Sequence, residues 1–202
     1  GLIKKMGTIL REDDWQVTAT VNTKKWDCPD CPAELLDLQP GHLADDIPLW
    51  GVSIDIGTTT VSVWLVDLLS GEVKAQVAEY NQQISRGEDV ISRIIVAGKE
   101  GGSEKMCELV VGTINDLLLR ASKRVKASPD AIFKATISGN STMIHLLLGI
   151  PASSIRLSPF VTAVNHIPTL SATDLGLTMN PQAVVDCLPG VASYVGADIS
   201  AG

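Results

Sequence analysis

No apolar run in this sequence is long enough to span a membrane, and Gly1-Leu2-Ile3-Lys4-Lys5-Met6 is too short and mixed for a secretory signal. Basic charge is in deficit. Against 23 Asp and Glu stand 16 Lys and Arg, a formal net charge of −7, which argues against nonspecific nucleic-acid binding. Cysteine is sparse: of Cys28, Cys31, Cys107 and Cys187, only the first two are close together. That excludes a secreted disulfide framework and makes the cytoplasm the expected compartment. Cys28-Pro29-Asp30-Cys31 has the spacing of half a zinc or rubredoxin-type knuckle. No second pair completes a tetrahedral site, and adding His42 still leaves one ligand missing, so a surface loop is the default. No internal repeat or low-complexity tract appears, and no Ser/His/Asp or Cys/His constellation assembles from spacing.

What is present is organised around Gly51 to Asp67. Val52, Ile54 and Ile56 alternate with small or polar residues, and Val61, Val63 and Leu65 resume the period of two. Between these strands stands Gly57 followed by Thr58, Thr59 and Thr60. Such a turn suits a triphosphate. Gly57 lets backbone N–H groups approach closely, and the three threonines add hydroxyl donors. Asp55, at the strand end, carries a carboxylate suited to Mg2+, directly or through water.

Along the chain, Leu10 to Trp15 reads as a helix end, Trp15 to Val21 as a strand, and Glu34 to Leu38 as a short return strand. Residues 1–49 read as a small α+β segment, the tail of a preceding small middle domain plus a linker. Val73, Ala75 and Val77 make a third antiparallel strand after the turn Leu69-Ser70-Gly71-Glu72. Ser85 and Glu88 have capping-box spacing, and Ile91, Ile94 and Ile95 form the apolar face of the helix that follows, ended by Gly98. Ser103 to Lys126 is the longest periodic segment, with Met106, Leu109, Val110, Thr113, Leu117, Leu118, Ala121 and Val125 on one side. Ala131 to Ile137 reads as a buried strand. Asn140 or Ser141 caps a short helix carrying Met143, Ile144, Leu147 and Leu148. His145 is expected to pack on that helix's apolar face, with Cys107 and Cys187 in the interior. Beyond Pro151 the pattern is loop-rich, with Val184 to Leu188 a further strand.

The D-x-G-T-T-T turn after an apolar strand resembles the first phosphate hairpin of the actin-like ATPase superfamily, which includes sugar kinases, acetate kinase and heat-shock chaperones. Four motifs in order sharpen this. They are Asp55-Ile56-Gly57-Thr58-Thr59-Thr60-Val61, Gly87-Glu88-Asp89-Val90-Ile91-Ser92-Arg93-Ile94, Ile137-Ser138-Gly139-Asn140-Ser141-Thr142-Met143, and Tyr194-Val195-Gly196-Ala197-Asp198-Ile199-Ser200-Ala201-Gly202. Together they resemble the ATP-dependent reductive activators of corrinoid proteins, a family that includes activators of corrinoid iron–sulfur protein and of O-demethylase systems.

The resemblance implies an α/β fold. Residues 50–202 would be the N-terminal half of an actin-like, ribonuclease H-like ATPase domain. It implies ATP and Mg2+ as ligands, with Asp55, Gly57, Thr58, Thr59 and Thr60 at the phosphates. Gly139, Asn140 and Thr142 would form a second polar turn facing them, a plain helix cap being the alternative. Glu88 and Asp89 could approach the metal, although helix stabilisation accounts for both. No role follows for Gly196 or Asp198. The implied partner is a corrinoid protein whose cobalt(II) is returned to cobalt(I) by a low-potential electron, with a homodimer left open. The electron would come from a [2Fe-2S] cluster in an N-terminal domain, whose C-x4-C-x2-C spacing these cysteines do not show. The second ATPase half is likewise not among these residues, so the chain reads as a fragment expected to be inactive by itself. A small-molecule kinase and a nonenzymatic interaction module remain the alternatives.

Overall fold

Alternation of apolar residues builds two sheets. The computed structural model describes residues 2–23, 30–44, 47–193 and 195–200. Helix α1 (Leu2–Glu12) packs on a two-stranded antiparallel sheet of β1 (Val17–Asn22) and β2 (Glu34–Pro40), with Val17 opposite Pro40. Thr18 Oγ1 donates to Gly41 O at 2.8 Å and accepts from Leu43 N at 3.0 Å, closing that hairpin's open end. Leu36 of β2 shares an apolar cluster with Phe133 and Val184, so the small sheet is fastened to the base of the large one.

The large sheet begins with β3 (Trp50–Ile56), β4 (Thr60–Asp67) and β5 (Val73–Tyr80), antiparallel neighbours in sequence order. In the β4–β5 turn, Asp67 accepts from Ser70 Oγ at 2.8 Å. That bond, with backbone N–H groups of Leu69 and Leu49, holds its carboxyl below the usual carboxylate range. Helices α2 (Val90–Ala97) and α3 (Gly102–Arg124) lead to β6 (Ile132–Gly139), which returns parallel to β3. Then come α4 (Ser141–Leu147), α5 (Ser153–Arg156), β7 (Leu170–Ser171), β8 (Val184–Cys187) and α6 (Ala197–Ser200). The strand order is β5-β4-β3-β6-β8-β7, with β8 parallel to β6. Three antiparallel strands, two helices, a strand and a helix are the expected succession.

The core lies between one face of this sheet and α3. Ile54, Ile56, Val61, Val63, Leu65, Ala135 and Ile137 share a buried cluster with Val110, Ile114, Leu117, Leu118 and Ala121. Each large side chain withdrawn from water there is worth about 1.5–3 kcal/mol. The sequence period identified this helix face, and the structure extends it by Ile114 and Ser122.

Helix α2 departs from expectation in two ways. Ser85 and Glu88 do not form the capping box. Ser85 ends a short 3-10 turn (Gln82–Ser85), where its Oγ donates to Gln82 O at 2.7 Å. With that hydroxyl engaged, the helix starts later. Asp89 is its N-cap, accepting from Ser92 N at 2.8 Å, while Ser92 Oγ accepts from Asp89 N at 3.2 Å. The apolar face is also different. Ile94 is buried, but Ile91 and Ile95 are 47% and 46% exposed, and the fully buried neighbour of Ile94 is Arg93, at 0%.

Candidate functional site

The parallel pairing of β3 and β6 sets Asp55 opposite Ser138 and Ile56 opposite Gly139. The two polar turns that follow these strands therefore lie side by side at the carboxyl end of the sheet. Open α/β sheets place their ligands outside that end. Asp55 is half-buried at the rim, and its Oδ1 accepts from Ser138 Oγ at 2.9 Å. Ser138 was not singled out from the sequence. Only the cross-strand register could have found it.

Residues 57–60 form a tight, internally bonded turn. Gly57 N donates to Thr60 O at 2.9 Å, and a Cβ at Gly57 would lie 2.6 Å from that same oxygen. Only glycine allows this closure. Thr59 and Thr60 are exposed, and Thr58 is half-buried. Three successive carbonyls of the turn are held from the protein side. Asn81 Nδ2 donates to Gly57 O at 3.0 Å, Arg93 Nη2 to Thr58 O at 2.6 Å, and Asn81 N to Thr59 O at 2.8 Å.

The second turn meets the first through Asn140, whose Nδ2 donates to Thr58 Oγ1 at 3.3 Å. Its Oδ1 accepts from Met143 N at 2.9 Å, so Asn140 is also the N-cap of α4. Both readings of this residue, turn and cap, are compatible with one geometry. Gly139 is buried behind it. Thr142 is 2% exposed, inside α4, and presents no hydroxyl to the open side. Gly196 presses on the same helix start: a Cβ there would lie 2.5 Å from Asn140 Cα and 2.7 Å from Ser141 N.

The carboxylates divide cleanly. Of Asp55, Glu88 and Asp89, Asp89 is occupied in capping, Glu88 is exposed, and Asp55 stands at the strand end beside the two turns. Among the described residues no three His, Cys, Asp or Glu side chains come together as a metal site. A single carboxylate fits Mg2+ in the way that ion is often bound, with water and ligand phosphates completing its octahedron. Cys28 lies outside the described residues, and Cys31 is disulfide-bonded, which removes its thiolate from the knuckle reading.

Three further groups are structural. His145 is buried; its Nδ1 donates to Ser141 O at 2.6 Å and its Nε2 accepts from Ala163 N at 3.0 Å. A carbonyl can only accept, so the proton sits on Nδ1, and burial holds the imidazole pKa below its ordinary value. Cys187 is buried, its thiol pushed up to about 12 by desolvation. Cys107, expected inside, is half-buried; its Sγ donates to Leu147 O at 3.0 Å, and burial again raises the thiol. Neither thiol is an activated nucleophile.

A cleft of about 920 Å3 lies at the other end of the sheet, between the small hairpin and the strand starts at Trp50 and Phe133. Its walls mix Val21, Ile47 and Leu49 with polar groups that include Asp37, Gln39, His42 and Asp130, and Gln39 Nε2 donates to Asp37 Oδ2 at 3.1 Å.

A family model described as RACo middle region matches residues 50–202. The corrinoid activation enzyme RamQ of Eubacterium limosum is 35% identical over 168 residues, covering 83% of this chain and 28% of that protein. The solved structure of a reductive activator for corrinoid, iron-sulfur protein has a TM-score of 0.87 at 39% identity, covering 98% of this chain and 31% of that one. The chain thus spans about a third of the length of these two relatives. At that likeness the two share a mixed α/β fold. The family match runs through both polar turns and the Gly196 segment, and the chain belongs to the RACo middle region family.

Proposed function

We propose that residues 50–202 form the nucleotide-binding half of a reductive activator, with residues 1–49 as the tail of a preceding small domain plus linker. In this reading the whole protein uses ATP and Mg2+ to return a corrinoid protein from cobalt(II) to cobalt(I). The observation that carries it is the convergence at the carboxyl ends of β3 and β6 of Asp55, the glycine-closed turn 57–60 and Asn140. The names of the two relatives supply the corrinoid partner.

The roles follow from chemistry. Backbone N–H groups of Thr58 and Thr59, with the exposed hydroxyls of Thr59 and Thr60, would receive phosphate oxygens. Asp55, steadied by Ser138, would hold Mg2+ directly or through water. Gly57 and Gly139 act by letting backbone come close. Thr142, being buried, is assigned to the helix rather than to the ligand. ATP can drive electron return only by binding two conformations of the activator unequally, so closure around this turn is where its energy would enter. The electron donor in this reading is an iron–sulfur domain outside these residues, and the protein is cytoplasmic.

The test is ATP turnover by the full-length protein with and without a corrinoid protein held as cobalt(II). Corrinoid-stimulated hydrolysis with the cobalt(I) absorption band appearing is the expected result. ATP turnover indifferent to the corrinoid protein, or a phosphorylated small molecule as product, would overturn it.

A further inference from the structure

The buried polar groups behind the phosphate turn have no place in the roles just given. Arg93 and Asn81 are both wholly buried. Arg93 is fixed by Nε on Gly87 O at 2.8 Å and Nη1 on Gln83 Oε1 at 3.2 Å, with Met143 Sδ at 3.3 Å. Those acceptors, together with Thr58 O, are carbonyl, amide and thioether groups rather than carboxylates. A buried guanidinium is costly unless its N–H groups are satisfied, and here they are directed to fixed acceptors, with the charge of Asp89 nearby. The guanidinium earns its place through what it does to Thr58.

A trans peptide is planar, with its C=O and N–H pointing in opposite directions. Holding Gly57 O inward with Asn81 Nδ2 turns the Thr58 N–H outward, and holding Thr58 O with Arg93 Nη2 does the same for Thr59. Among the described residues neither of these N–H groups has an acceptor. We propose that Arg93 and Asn81 are positioning residues that aim the Thr58 and Thr59 amides at the anionic ligand of the turn, with the Arg93 charge reinforcing the field behind it. This rests on the nucleotide reading above. Lysine cannot substitute fully, because one ammonium cannot span the separated acceptors that a planar guanidinium fork reaches.

The experiment uses the full chain, its Arg93→Lys and Arg93→Met variants, and Asn81→Asp, which keeps size and capping oxygen but loses the donor. Two quantities are measured: amide exchange and 15N–1H shifts of residues 57–60 without ligand, and calorimetric affinity for Mg2+ with AMP-PNP or tripolyphosphate. The expected result is faster exchange and displaced shifts at Thr58 and Thr59. Affinity should fall about tenfold or more in Arg93→Met, a tenfold change being about 1.4 kcal/mol, and less in Arg93→Lys. If Arg93→Met does not fold, Asn81→Asp carries the same expectation at Thr58. Folded variants with wild-type shifts, exchange and affinity overturn the proposal. If wild type binds neither ligand while the variants still loosen the turn, the nucleotide reading falls and the holding of the two carbonyls stands.

Discussion

Helices α2 and α3 pack against each other, and they obey different rules. In α3 the apolar period is the buried face: Met106, Val110, Ile114, Leu117, Leu118 and Ala121 are all inside. In α2 two isoleucines stand half in water while an arginine is sealed away. Helix α3 mainly covers the hydrophobic face of the sheet, with Thr113 Oγ1 and Met106 O each accepting one bond, from Gln82 and Gln83. Helix α2 lies beside a turn whose carbonyls need donors, and an unsatisfied buried carbonyl costs about 1–3 kcal/mol. Periodicity reports burial where packing is the main demand and fails where a backbone must be held.

Five substitutions would break or sharpen this contrast. Leu117→Ala in α3 should have the largest effect, about 2–5 kcal/mol read from the urea midpoint, because it empties a position with no solvent access. Arg93→Met in α2 should cost about 2 kcal/mol, since the stranded carbonyls outweigh the apolar gain. Were α2 governed by the rule that governs α3, this variant would instead be stabilised. Asp89→Ala should cost about 1 kcal/mol through the lost cap, whereas Glu88→Ala leaves the melting temperature unchanged. Ile95→Lys should stay within about 0.5 kcal/mol, because the side chain is already half in water. A larger loss there would mean that its exposure hides a packing role.

The same contrast explains what the sequence disclosed. Strands β3, β4 and β5 and helix α3 are long and regular, so their period survives any tertiary influence. Asn140 was readable because a cap is a local bond to a residue three along. Asp55 and the glycine–threonine turn stood out by residue type, and the fold sets them beside Asn140. Arg93 lay inside a quoted motif, but its task is carried out on Thr58, far away in sequence and adjacent only after folding. Asn81 and Ser138 escaped for the same reason. An arginine among five isoleucines and valines in an eight-residue helix is the signal that could have revealed it. Segments α5 and β7 are too short for any period to register.

His145 joins the start of α4 to the segment through Ala163 by using one ring nitrogen in each direction. Its ordinary pKa is lowered in the fold, so the neutral ring is the favoured form, and its contribution is complete above the unfolded value. That contribution drains away as acid carries the pH down through the folded value. A second proton on the ring would face the Ala163 N–H donor to donor. Acidification should therefore unhook this segment ahead of the sheet, and the Ala163 amide should exchange as though the strap had been unbuckled while β3 and β6 stay protected.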